Sequence, residues 1–157
     1  MTLLDLFTAA ENSSLGDAIR ESQWLFPVIE CFHLLALAVL GGAVLIVNLS
    51  LLGWGLGRDR AGQLWRDIRV AMGVSIVVML VSGALLFTSE AIKLYYHEAF
   101  WVKMCSLALA LLFTITVQRR TALSNDLRPT VLSRAVAVTS LSLWLLVGSG
   151  GRWIGFS

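Results

Sequence analysis

Four apolar stretches, about Leu25–Leu52, Val70–Thr88, Phe100–Val117 and Val131–Val147, constrain this chain more than any other feature. Each is close to the ~20 residues that a helix needs to cross the hydrocarbon core of a bilayer. Strands of a membrane barrel alternate with a period of two, which runs this uniformly apolar do not. In hydrocarbon every backbone N–H and C=O must be satisfied within its own segment, so the stretches are expected as helices. Composition agrees, because 57% of the 157 residues are hydrophobic and 14% are charged. That is too little polar surface to wrap a water-soluble domain of this length. The expected fold is all-α: one integral membrane four-helix bundle over residues 1–157, with short interfacial helices on the outer side within residues 1–24.

The net charge of +2 says less than its distribution. Arg58, Arg60, Arg66 and Arg69 lie between the first two stretches, and Arg119, Arg120, Arg128 and Arg134 run from the end of the third to the first turn of the fourth. Only Asp59, Asp67 and Asp126 oppose them there, whereas Asp5, Glu11, Asp17, Glu21, Glu30, Glu90 and Glu98 cluster at the opposite ends. Basic residues concentrate in short cytoplasmic loops, so both arginine segments are expected inside and both termini outside, on the periplasmic face. The arginines flank spans and form no patch on a soluble fold, so nucleic acid is not an expected partner. The acidic residues before the first stretch do not fit a cleavable signal peptide, which begins with positive charge.

Ahead of the first span, Thr2–Ala10 and a segment opened by Ser14 with Asp17 three residues on both read as short helices. The second resembles a capping box started by Ser14. Its apolar stripe fits either a helix lying on the outer membrane surface, anchored by Trp24, or a cap packed on the loops of the bundle. Pro27 suits a first helical turn, where its missing N–H had no partner, and this places Glu30 in the same turn near the helix dipole. Gly53-Trp54-Gly55-Leu56-Gly57 does not match a nucleotide-binding loop and reads as the inner exit of the first span. Cys31 and Cys105 both fall within spans, where a small buried apolar role is expected rather than a disulfide. The tail Gly148–Ser157 is glycine-rich, with Arg152 and Trp153 suited to an interface.

Ionisable groups inside a span mark function by default. Glu30 and His33, three residues apart, share a helix face. Lys103 starts the third span at about the depth of Glu30, so a Glu30–Lys103 ion pair is the economical arrangement. His97 and Glu98 lie at the mouth, and Met104, Cys31 and Cys105 at similar depth. Three readings follow. Glu30, His33 and Lys103 form a hydrogen-bonded knot that fixes helix packing; or His33 ligates a b-type haem or lies beside a quinone near the outer face; or His33, His97 and Met104, with Cys31 and Cys105, bind copper, which imidazole and soft sulfur suit. With two histidines in the chain, two axial haem ligands require His97, a methionine or a second copy. No nucleophile motif surrounds a serine, so no catalytic residues are expected and the chain is not expected to be an enzyme by itself. The working expectation is a membrane accessory or electron-transfer subunit using Glu30, His33 and Lys103. The alternatives are a non-catalytic structural subunit of a larger membrane complex and a copper-handling protein. Expected partners are the lipid bilayer, other membrane or periplasmic subunits, or further copies of the chain.

Glu21-Ser22-x-Trp24-x-x-Pro27-x-x-Glu30-x-x-His33, followed by Gly41-Gly42 and Leu51-Leu52-Gly53, resembles an uncharacterised family of small four-span bacterial inner-membrane proteins. Ala91-x-x-x-Tyr95 and Ala99-Phe100-x-x-Lys103-Met104 resemble the same family, so the likeness covers roughly residues 21–112. It implies an inner-membrane location, and distant similarity to copper-resistance membrane proteins implies the copper reading. This chain carries Asn48, Ser50 and His97 where the family pattern has Asp, Arg and Asn.

Overall fold

Side-chain caps set where the first helices begin. Thr2 and Asp5 cap one another reciprocally and open α1 (Leu3–Glu11). The hydroxyl of Ser13 accepts from the Gly16 N–H at 3.2 Å and opens α2 (Ser14–Glu21). The capping box thus belongs to α1, and the cap of α2 is Ser13 rather than Ser14. The first long helix, α3 (Leu25–Leu52), starts where Ser22 Oγ accepts from the Leu25 N–H at 3.2 Å. Pro27 falls in its first turn as the sequence implies, and Glu30 falls one turn later.

A computed structural model describes residues 2–55, 57–124 and 128–154. After a 3-10 turn at Arg58–Arg60 come α4 (Ala61–Ser89), the short α5 (Ala91–Tyr96) and α6 (Glu98–Phe113). A π-helical turn, Thr114–Gln118, then leads into α7 (Arg119–Ala122), and α8 (Val131–Ile154) follows. Leu56 of the glycine exit, Asp126 of the second arginine segment and residues 155–157 of the tail lie outside the described residues. The helices outrun the apolar stretches read from sequence. α4 begins at Ala61 because good helix formers there bury Ala61 and Trp65, and α8 continues through Gly148, Gly150 and Gly151 to Ile154.

Among the described residues, four helices are long and apolar enough to cross a membrane: Leu25–Leu52, Ala61–Ser89, Glu98–Ala122 and Val131–Ile154. α3 packs on α4 and on α8, and α6 packs on α8, so the long helices follow the order α4–α3–α8–α6. The buried stripe of α3 (Ala36, Leu40, Ala43, Val44, Val47, Leu51) repeats at three- and four-residue spacing, as one face of a helix must. The opposite faces are apolar too: Val70, Val74, Val77 and Val81 of α4 are 57–67% exposed. A soluble monomer rarely shows so continuous an apolar face, whereas lipid tails match it.

α3 ends in a Schellman motif, with Trp54 N–H on the Leu49 carbonyl at 2.9 Å and Gly53 N–H on that of Ser50 at 3.0 Å. Gly53 takes φ +80°, and a Cβ there would run into Pro129 Cγ. At the other end the N-terminal helices form a cap on the bundle's own loops, one of the two arrangements the sequence left open. Phe7 sits among Phe87, Tyr95, Trp101 and Phe100, with ring centroids 4.9, 5.2, 5.9 and 6.2 Å away. Glu11 Oε2 accepts from the Ile92 N–H at 2.5 Å, and Arg20 Nη1 donates to the Ser89 carbonyl at 3.3 Å. The bundle therefore has a cap end and an arginine end.

Candidate functional site

The site is built at the cap end from one residue or step on each long helix. His33 of α3 is half-buried, and its Nδ1 lies 2.9 Å from Ser82 Oγ of α4. Ser82 directs its own hydrogen to the Val78 carbonyl at 2.6 Å. The hydroxyl oxygen can then accept from the imidazole, which also meets the Met79 backbone of α4. The next residue of α4 is Gly83, where a Cβ would stand 3.3 Å from His33 Cε1. Serine and glycine in succession thus give the ring a hydrogen-bonded edge and room to lie against α4.

Lys103 of α6 is half-buried against the last turns of α8. A Cβ on Gly150 would come within 3.0 Å of Lys103 Cβ, and one on Gly151 within 3.6 Å of Lys103 Nζ. Glycine disfavours helix, but here its missing side chain makes space for the lysine stem, and packing outweighs propensity. Among the described residues Lys103 has no hydrogen-bond or ion-pair partner. His33 lies within electrostatic reach of both Lys103 and Glu30. The arrangement is a cation and a ligand-competent imidazole placed in the same region without a shared carboxylate.

The expected Glu30–Lys103 ion pair does not form, and Glu30 is exposed. Helical geometry explains it. At about 100° per residue, Glu30 is rotated roughly 120° from the buried Ala36, whereas His33 is only about 60° away. Sharing a face with its neighbour three residues on did not bring the carboxylate into the bundle. His97 serves as the N-cap of α6, with Nδ1 accepting from the Ala99 N–H at 3.3 Å. Glu98 is exposed, and so are Met104, Cys31 and Cys105, both cysteines being free thiols. They face outward, and the expectation of buried cysteines is corrected: an apolar solvent makes the outer face of a helix as suitable for a thiol as the core. Among the described residues no three His, Cys, Asp or Glu side chains gather as metal ligands. The set His33, His97 and Met104 is thus dispersed over a helix interface, a helix cap and an outward face.

Sequence reading missed a second polar cluster toward the arginine end. Gln118 Nε2 donates to Asn48 Oδ1 at 3.1 Å, Asn48 Nδ2 donates to Ser140 Oγ at 3.1 Å, and Ser140 Oγ donates to Gln118 Oε1 at 3.2 Å. All three are at most 1% exposed. The cycle joins α3, the π turn and α8, and Trp144 Nε1 adds a bond to Thr114 Oγ1 at 3.1 Å. The signal was present: Asn48 shares the stripe of Val44, Val47 and Leu51. Gln118 was hidden because the third apolar stretch ends at Val117, one residue short.

The class these features define is an all-helical protein with four helices long and apolar enough to span a membrane, compatible with a multi-pass membrane protein. Residues 6–157 match a family of unknown function (DUF6644), and the chain belongs to that family. The match includes α8, which the resemblance read from sequence did not cover. No curated protein and no solved structure matches the chain.

Proposed function

We propose that this protein is a multi-pass membrane subunit that binds the oxygen-bearing head of a lipid-soluble ligand, a quinone, between His33 and Lys103. The observation that carries the reading is the half-buried Lys103 ammonium, which has no partner among the described residues. An ammonium taken partly out of water is costly unless something electronegative meets it. A quinone carbonyl accepts from Lys103. The hydroxyl of the reduced form donates to the unprotonated nitrogen of a neutral His33 ring, whose orientation Ser82 holds. One site then accommodates both forms of the head, which suits an accessory or electron-transfer subunit beside other membrane subunits. The arginine end is read as cytoplasmic from its excess of basic residues, which puts the site toward the periplasmic side of a bacterial inner membrane.

The test is a titration of the purified protein with a short-chain quinone, followed by tryptophan fluorescence quenching. A hydrogen bond to a charged group is worth about 1.5–3 kcal/mol, so Lys103→Met should weaken binding about tenfold or more. His33→Leu should weaken it as well. Unchanged affinity in both variants would end the quinone reading. An imidazole tethered through one ring nitrogen also suits an axial haem ligand. A Soret absorption band in the wild-type protein that disappears in His33→Leu would therefore transfer the site to haem b.

A further inference from the structure

The arginine end carries a second feature with the geometry of a ligand site. A groove of about 480 Å³ opens on the outer face of the third long helix, lined by Ile115, Thr116, Arg119, Arg120 and Leu123. It straddles the π turn, in which the Arg119 N–H reaches back to the Thr114 carbonyl. Such turns are uncommon and recur at functional sites. Approaching the groove along the helix, Leu109, Leu112 and Ile115 are apolar and 54–62% exposed. One turn later, about 6 Å further at ~1.5 Å per residue, the same face presents two guanidinium groups. Arg119 and Arg120 are exposed and, among the described residues, their side chains have no hydrogen-bond or ion-pair partner.

An apolar wall followed by paired cations reproduces the order of groups along a phospholipid, acyl chain first and phosphate after it. A guanidinium matches phosphate with two parallel hydrogen bonds, and two side by side disfavour a headgroup that brings its own ammonium. A soluble phosphate would satisfy the arginines and leave Ile115 and Leu112 unused. We infer that the groove at Ile115, Thr116, Arg119, Arg120 and Leu123 is a binding site for an anionic phospholipid. The inference is independent of the quinone reading, since the two sites lie at opposite ends of the bundle.

The test uses the whole protein in nanodiscs of phosphatidylcholine containing a minority of phosphatidylglycerol, with retained lipid read by native mass spectrometry. Wild type should retain phosphatidylglycerol over phosphatidylcholine. Arg119→Gln/Arg120→Gln should reduce that preference by on the order of tenfold, in keeping with the attraction of two basic groups to an anionic surface. Arg66→Gln/Arg69→Gln, on another helix at the same end, should leave the preference unchanged. Arg119→Lys/Arg120→Lys keeps the charge but loses the bidentate fork, should retain more of the preference than the double glutamine variant and less than wild type, and answers for folding. Equal retention of both lipids by wild type overturns the inference, as does an equal loss in the Arg66/Arg69 control. It is also overturned if inorganic phosphate, added to discs of phosphatidylcholine alone, raises the melting temperature as much as phosphatidylglycerol does, because the head would then suffice without the chain.

Discussion

Asn48→Leu gives the sharpest test of how this bundle is held together. The substitution removes the acceptor for Gln118 Nε2 and the donor to Ser140 Oγ in a cluster with almost no exposure. Interhelical hydrogen bonds in membranes average about 0.6 kcal/mol and reach about 1.7 kcal/mol. The amide hydrogen of Gln118 is also left without a partner, at a cost of about 1–3 kcal/mol. The expected loss is therefore about 2–4 kcal/mol, enough to change the folded fraction of a marginally stable protein. A denaturing titration in mixed micelles, followed by helical circular dichroism, reads it directly. The companion is the triple variant Asn48→Leu/Gln118→Met/Ser140→Ala, in which every partner is replaced by an apolar group of similar shape. Replacing both sides of a buried bond is nearly neutral, so this variant should lie within about 1 kcal/mol of wild type despite two further substitutions. A single-variant loss below about 0.5 kcal/mol, or a triple-variant loss equal to the sum of the three singles, would refute the account of a mutually satisfied cycle.

Other expectations follow from local geometry. Gly53→Ala should cost about 1–3 kcal/mol in the same titration, because it combines a left-handed backbone with a Cβ forced onto Pro129; an unchanged midpoint would contradict it. Phe7→Ala should undock the N-terminal helices while leaving the bundle intact, seen as faster proteolysis between Thr2 and Glu21 with a loss of helix content no larger than these two short helices supply. Hydrogen bonds from the backbone and side chain of Thr2 hold the exposed Asp5 carboxyl below its ordinary range. A lowered carboxyl stabilises α1 above its unfolded pKa, and that contribution is lost as pH falls through the lowered folded value. Protease protection of the first helix should therefore weaken at strongly acid pH in wild type, and Asp5→Asn should show less of that dependence.

The candidate site was half legible in the sequence. His33 and Lys103 stood out because charge and imidazole are scarce in apolar runs, and that scarcity is a property of composition. Their partners did not stand out. Ser82, Gly83, Gly150 and Gly151 look like ordinary small packing residues, and their meaning depends on which helix lies opposite. Glu30 illustrates the converse: three-residue spacing tied it to His33, yet the rotation of α3 against its neighbours carried it outward. Gln118 was lost to a boundary, because hydropathy falls where the arginines begin while helical hydrogen bonding continues through the π turn to Ala122.

What the sequence determined by itself was the number and type of the long elements and which end of the bundle carries the arginines. Those depend on the exchange of each segment with its surroundings, water or hydrocarbon, which is a sum over the residues of that segment. What only the tertiary structure decided was the order α4–α3–α8–α6, the seating of the N-terminal cap on Phe87, Tyr95, Phe100 and Trp101, and the closure of Asn48, Gln118 and Ser140 into one cycle. These depend on the rotation of each helix about its own axis. In a bilayer, the apolar outer and inner faces of a helix look nearly alike to a hydrophobic pattern. Rotation is set instead by small-residue contacts and a few hydrogen bonds, whose partners lie 22–92 residues away in the chain.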